Sequence, residues 1–133
     1  MKTKLTFLIA FLFLTSTPTI AQNEQDLETL SIFSELVKSK NYSAAYTPWM
    51  ELRTRNPKFN KAIFVYGERI LNYKIDNSEG DEKISFINDM LKLWQERKAV
   101  FPNITPSGAY MAKACQLEYD YREILNKSNE ALY

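Results

Sequence analysis

The side chains that most often carry out catalysis are scarce in this sequence of 133 residues. It contains no histidine and a single cysteine, Cys115. A Ser-His-Asp triad, a histidine-based zinc site and an imidazole general base are therefore excluded. The carboxylates of Glu118, Asp120 and Glu123 are close in sequence, but on a helix they point in different directions and do not form a glycosidase-like pair. The sequence predicts no catalytic residue, and hence a protein that is not an enzyme.

Ion and nucleotide sites also lack their usual motifs. Residues 76–82 (DNSEGDE) concentrate oxygen ligands as calcium loops do, but the glycine lies at the fifth position and no glutamate follows at the twelfth. We interpret this segment as a solvated acidic loop. Gly67 does not begin a phosphate-binding loop, because neither the further glycines nor the lysine follow it. The sequence therefore predicts neither a bound metal nor a cofactor.

The charge balance argues against a nucleic-acid partner. The chain has 17 basic and 16 acidic side chains, and residues 1–21 hold two of the lysines and none of the acids. Proteins that bind nucleic acid depend largely on clustered lysine and arginine. One short stretch without acids does contain four basic residues, which we interpret as a solvated helix end and turn: Arg53, Arg55, Lys58 and Lys61.

The first 21 residues have the organisation of a secretory signal peptide. Lys2 and Lys4 precede an apolar run at residues 5–14 that only Thr6 interrupts, and Ala21 offers a cleavage site before Gln22. The alternative is a membrane anchor, but a bilayer span takes roughly 20 apolar residues, about twice the length of this run. We therefore expect a protein exported to the periplasm or the extracellular space. Residues 22–133 would form its domain, with no membrane span after cleavage.

The spacing of apolar residues in that domain is helical almost throughout and predicts an all-α fold of about five helices. The second helix contains Pro48, which predicts a kink at Thr47 or two shorter helices. Ser43 is the candidate cap of this helix. The first helix is expected to end near residue 40 and the second at residue 56. The third is expected to span residues 60–74. The fourth should begin at residue 81 and the fifth near residue 107.

Two segments repeat one another. The sequences WMELRTRNP at 49–57 and WQERKAVFP at 94–102 both place a tryptophan eight residues before a proline. Internal repetition of this kind is typical of helical repeat proteins. At helical spacing beside leucine and isoleucine, Trp49, Trp94 and Tyr66 are expected in the core rather than on a sugar- or peptide-binding surface.

These residues resemble the tetratricopeptide repeat, a helix–turn–helix unit. The residues that resemble the second half of one unit are Tyr42, Ala45, Trp49, Leu52 and Pro57. Those that resemble the first half of the next unit are Ile63, Tyr66, Gly67 and Ile70. The resemblance covers roughly residues 26–126 and is similar in style to exported repeat proteins of Gram-negative envelopes. It implies antiparallel helix pairs stacked as a short solenoid. Gly67 and Ala45 would lie where helices approach closely.

The resemblance also implies a groove, lined by the first helix of each unit, that binds a peptide or a partner helix. Its predicted lining is Lys61, Phe64, Glu68, Asn72, Met111, Cys115, Glu118 and Tyr119. An apolar centre with mixed charge around it favours a protein surface as the ligand. We therefore expect a non-enzymatic adaptor of the bacterial cell envelope. The alternative function is a structural subunit of an envelope assembly that has no separable ligand. For Cys115 the alternative to a position in the groove is burial against the fourth helix.

The end of the sequence resembles the start of another helix. Residues 126–129 are typical of a turn with Ser128 as a cap, and residues 130–133 of a first helical turn. A single turn is too short to cover the fifth helix. We interpret the chain as a fragment of a longer protein or as one completed by a partner or a second copy. Self-association would then use one side of the fifth helix, with Tyr110, Leu117, Tyr121 and Ile124.

Overall fold

The computed structural model describes residues 18–128, which form an all-α fold with no strand in that range. The expected fold class is therefore confirmed. Residues 1–17 and 129–133 lie outside the described part, so the signal peptide and the last helical turn stay predictions. The five helices are α1 (Pro18–Lys38), α2 (Tyr42–Arg55), α3 (Ala62–Asp76), α4 (Gly80–Val100) and α5 (Ser107–Asp120). A short 3-10 turn at Pro102–Ile104 lies between α4 and α5.

The first connection shows why α1 ends where it does. Lys40 adopts a positive φ of 61°, and the Asn41 N–H donates to the Leu36 carbonyl at 2.7 Å. This arrangement closes a helix and satisfies carbonyls that the helix leaves free. The Asn41 side chain then accepts a bond from the Ala44 N–H at 3.4 Å, so Asn41 caps α2 and the assignment of that cap to Ser43 was wrong.

Pro48 lies inside α2 without dividing it. The structure has one helix of 14 residues here, so the alternative of two short helices is wrong, while the kink at Thr47 stays a prediction. Proline removes one hydrogen bond to the carbonyl four residues earlier. That carbonyl belongs to Ala44, which is an exposed residue.

Consecutive helices pack antiparallel. Arg55 at the end of α2 binds Asp26 near the start of α1, with 2.8 Å between Nε and Oδ1. The ring of Phe64 in the first turn of α3 meets that of Phe101, directly after α4, at a centroid distance of 5.9 Å. The Trp49 indole of α2 donates to the Ile63 carbonyl of α3 at 2.7 Å. The helices α1 and α3 are also in contact. The only α-helix with close backbone contacts to α5 is α4.

Trp49 is the centre of the core. Its side chain is fully buried, and a Cβ added at Gly67 would lie 2.6 Å from the Trp49 ring carbon Cζ2. Gly67 is therefore a position of close approach, as expected, although the group that it admits is the indole rather than a second backbone. Ala45 is also fully buried, and Trp94 is 8% exposed. The two tryptophans of the repeated segments both belong to the core, as the sequence predicted.

A buried cation links α2 to α4. Arg53, 6% exposed, forms two bonds of 2.9 Å to the Asp89 carboxylate and one of 2.8 Å to Glu96. Its guanidinium also lies 5.1 Å from the centre of the Trp49 ring. The interpretation of this segment as a solvated helix end was therefore wrong for Arg53. Arg55 is exposed at the last residue of α2, as that interpretation expects, and its guanidinium is paired with Asp26.

A second polar cluster links the start of α1 to the end of α2. The fully buried Asp26 accepts hydrogen bonds from Arg55 at 2.8 Å, Asn56 at 2.9 Å and Gln22 at 3.2 Å. Burial acts to raise the pKa of the Asp26 carboxyl, but the three hydrogen bonds and the charge of Arg55 outweigh it, so the pKa is lowered. Asp26 is therefore ionised at neutral pH and joins the two helices as a charged acceptor.

Candidate functional site

The fifth helix is the only α-helix of the described fold that has no buried residue. None of its residues is fully buried, although one side packs against the core through Tyr110, Ala114, Leu117 and Tyr121. The Arg97 guanidinium lies 5.1 Å from the Tyr110 ring centre, and the Lys83 ammonium lies 5.8 Å from that of Tyr121. The end of α4 thus meets the start of α5, and the two helices run antiparallel with an open face beside them.

A groove of about 220 Å³ lies between these two helices, and we call it the α4–α5 groove. Its walls are Leu91, Gln95 and Lys98 of α4 and Met111, Ala114 and Glu118 of α5. Two aromatic residues also line it, Trp94, which is 8% exposed, and Tyr110, which is half-buried, and we call these two its floor. Met111 is 65% exposed at the rim, so a large apolar side chain faces solvent beside an aromatic floor.

The floor contains a hydrogen-bond donor without a partner. The indole N–H of Trp94 is buried and makes no hydrogen bond to any described residue, and the same holds for the Nε–H of Arg97. In contrast, the Trp49 indole donates to the Ile63 carbonyl at 2.7 Å. A buried donor that lacks an acceptor costs on the order of 1–3 kcal/mol. The second tryptophan is therefore enclosed less completely than the first.

The charges near the groove are unevenly paired. Lys113 of α5 binds Glu68 of α3 at 2.9 Å, and Arg97 approaches the same carboxylate at 3.9 Å. Glu118 is bound to Lys127. Among the described residues Lys98 makes no ion pair, and it is exposed on the α4 wall. The rim of the groove therefore carries one cation that is free to bind an anion.

The titration of Tyr110 fixes its role in the floor. Burial raises the pKa of the Tyr110 hydroxyl, and the Glu68 carboxylate acts in the same direction, while Arg97 and Lys113 oppose them. The phenol therefore stays protonated at neutral pH. Its hydroxyl is therefore a hydrogen-bond donor and not a base.

The residues predicted from sequence fall into two groups around α5. Met111 and Glu118 line the α4–α5 groove, and Cys115 is exposed between them on the same side of the helix. The alternative of a buried Cys115 is therefore wrong. Tyr119 is 44% exposed, and the Arg122 guanidinium lies 4.4 Å from its ring centre.

The other predicted residues belong to α3 or to its start. Glu68 and Asn72 line a separate cleft between α3 and α5, and Lys61 is exposed before the first turn of α3. Phe64 is fully buried, so its expected exposure at the centre of a groove was wrong. It contacts Phe101, because α4 covers the side of α3 from which it projects.

The side of α5 expected for self-association is also not available. Tyr110, Leu117 and Tyr121 are half-buried and pack against the core, and of that set only Ile124 is exposed. The apolar side was recognised correctly, but α4 of the same chain occupies it. Sequence analysis missed the wall formed by Leu91, Gln95 and Lys98.

Within residues 18–128 no helix is long and apolar enough to cross a membrane. In the same range there is no group of three or more acidic or cysteine side chains that could bind a metal ion.

No protein-family model matches the chain, and no curated protein or solved structure matches it either. The function is therefore inferred from the α4–α5 groove and the helices that form it.

Proposed function

We propose that this chain is a non-enzymatic adaptor of the bacterial cell envelope that binds a partner protein in the α4–α5 groove. The observation that carries the proposal is the exposure of Met111 beside the floor formed by Trp94 and Tyr110. Aromatic side chains that are largely buried beside an exposed apolar rim are typical of the energetic centre of a protein interface. Methionine suits such a surface because its flexible side chain adapts to the partner.

The size of the groove favours a protein over a small molecule. Sites that enclose a drug-sized ligand are usually about 300–1,000 Å³. The α4–α5 groove, at about 220 Å³, instead suits one or two side chains projecting from a larger partner.

The order of the helices supports stacked helix pairs as in a short tetratricopeptide-like solenoid. Alternate helices meet through side chains. The ring centres of Phe33 in α1 and Tyr66 in α3 are 6.3 Å apart, and Glu68 of α3 binds Lys113 of α5. On the other layer, Arg53 of α2 binds Asp89 of α4. In such arrays each helix pair contacts its neighbours in line, and the last pair leaves one surface uncovered.

The location and the absence of catalysis rest on the sequence. Residues 1–21 have the pattern of a signal peptide, which supports export of the mature chain to the periplasm or the extracellular space. The lack of histidine removes the commonest general base. These features support a binding protein.

A structural subunit of an envelope assembly is the second candidate, and exposed apolar residues on α1 favour it. Leu27 is 57% exposed and Ile32 is 47% exposed, on a helix that does not contribute to the α4–α5 groove. A subunit buried on several sides would use such residues, whereas an adaptor needs one apolar face.

Site-specific photo-cross-linking in living cells of the native host separates the two candidates. A photoreactive amino acid replaces Met111 in the groove, Leu27 on α1, or Ser43, an exposed polar residue on α2, in three separate variants. We expect one protein to be cross-linked from position 111 and not from positions 27 or 43. Mass spectrometry of the adduct identifies that protein.

The control at Ser43 measures random collisions, so the comparison uses yields relative to it. Equal cross-linking of one or more proteins from positions 27 and 111 would favour the structural subunit. No adduct at position 111 above the Ser43 background would contradict binding in the α4–α5 groove.

A further inference from the structure

The two sides of α3 are covered by different helices. On the first side, the Ile63 carbonyl accepts from Trp49 and Gly67 lies against the Trp49 ring, so this side faces α2. On the second side, Phe64 contacts Phe101 and Glu68 approaches Arg97, so this side faces α4. The helix α3 is therefore enclosed by the even-numbered helix before it and by the one after it.

The fifth helix repeats this pattern on the first side only. Tyr110, Ala114 and Leu117 have the same spacing as Ile63, Gly67 and Ile70, and they pack towards the core beside Trp94. Residues on the second side follow the spacing of Phe64, Glu68 and Leu71, and there α5 carries Met111, Cys115 and Glu118. The described helices leave this second side of α5 without the cover that α4 gives to α3, so a helix-sized element fits there.

The repeated tryptophan segments specify a charge for that element. Arg53 lies four residues after Trp49 and binds Asp89 and Glu96 on the following even-numbered helix. Lys98 lies four residues after Trp94, at the same position of the repeat, and makes no ion pair in the described part of the chain. By this internal comparison, Lys98 points towards carboxylates on a helix that would follow α4 in its layer.

We infer that the partner contributes an acidic amphipathic helix to the α4–α5 groove. Its apolar side covers Met111, and one or two of its carboxylates bind Lys98. It lies antiparallel to α5, as α4 lies antiparallel to α3. This inference rests on the proposed adaptor function and adds to it the conformation and the charge of the bound segment.

Two designed peptides test the charge and the shape directly. Each is a stapled helix of about 18 residues, because shorter isolated helices are marginal in water. Both carry the same stripe of leucine, flanked by glutamate in the first peptide and by lysine in the second. Binding of each peptide to the purified protein is measured by the change in tryptophan fluorescence over a range of salt concentrations.

We expect the glutamate peptide to bind the wild-type protein about fivefold more tightly than the lysine peptide at low salt. The substitution Lys98→Glu should reverse this preference. Lys92→Glu is the matched control, because Lys92 is exposed on α4 but does not line the α4–α5 groove, and it should leave the preference unchanged.

Equal binding of the two peptides, or a preference that Lys98→Glu does not alter, would overturn the acidic helix. A cross-link from position 111 to a second copy of this chain would overturn it as well. A foreign protein cross-linked at position 111 through a segment that is neither helical nor acidic would keep the adaptor function and remove this inference alone.

Discussion

Replacing Phe64 with glutamate should lower the free energy of unfolding by at least about 4 kcal/mol, and the variant should melt without a cooperative transition. The Phe64 side chain is fully buried between α3 and the end of α4. Removing a buried phenylalanine alone costs about 3–5 kcal/mol, and the glutamate adds the cost of an uncompensated charge. Circular dichroism during heating and in urea measures the loss.

The neighbouring residue supplies the matched control. Val65 is 37% exposed, so Val65→Glu should change the free energy of unfolding by less than about 0.5 kcal/mol. Phe64→Leu, which keeps an apolar side chain, should give a folded protein with an intermediate loss. If Phe64→Glu were as stable as the wild type, the orientation of α3 in this account would be incorrect.

Replacing Asp26 with asparagine should lower the free energy of unfolding at pH 7 by about 2 kcal/mol. Breaking a buried ion pair usually costs about 3–5 kcal/mol. A smaller value is expected here because the side-chain carbonyl of asparagine can still accept a hydrogen bond from Arg55 or Asn56. The amide cannot provide the charge that Arg55 and Asn56 now bind at 2.8 and 2.9 Å.

The same carboxylate predicts a dependence of stability on pH. Because the pKa of Asp26 is lower in the folded state than in the unfolded chain, Asp26 stabilises the fold fully above about pH 4. That contribution is lost as the pH falls through the lowered folded-state pKa. The difference in unfolding free energy between the wild type and Asp26→Asn should therefore shrink from pH 4 towards pH 2.

Urea unfolding at intervals between pH 7 and pH 2 tests this dependence. Glu28, an exposed carboxylate of the same helix, provides the control. Glu28→Gln should follow the wild-type curve at every pH. A wild-type curve parallel to that of Asp26→Asn across the acidic range would show that Asp26 is not held ionised by its hydrogen bonds.

Helical periodicity predicted the position of the elements well. The expected starts of the third, fourth and fifth helices, at residues 60, 81 and 107, lie within two residues of those in the structure. The prolines after each tryptophan and the few glycines leave little choice in where the helices end. Gly67 was expected at a close approach of two helices and does lie at one, although the group it leaves room for is the Trp49 indole rather than a second backbone.

The side on which each residue lies was harder to predict. Phe64 follows Ile63, and both are fully buried because α2 covers one side of α3 and α4 covers the other. An interpretation with one apolar side per helix assigns only one of these residues to the core. The same reasoning explains why Tyr110, Leu117 and Tyr121 were expected to face a second copy rather than α4.

The ion pairs lay beyond the reach of local sequence patterns. Arg53 binds Asp89 and Glu96, which come more than thirty residues later in the chain. A signal did exist, because Arg53 follows Trp49 by one helical turn and so shares its buried side. The corresponding residue after Trp94 is Lys98, which is instead exposed on the α4 wall of the groove.

The most direct test of the adaptor function is the dissociation constant of the protein that cross-links at position 111, measured by calorimetry with purified components. Met111→Glu should weaken binding at least tenfold, or about 1.4 kcal/mol. The exposed side chain should leave the melting temperature within about 2 °C of wild type. Leu27→Glu on α1 should bind within about twofold of wild type. Wild-type affinity in Met111→Glu, or an equal loss in Leu27→Glu, would contradict binding in the α4–α5 groove.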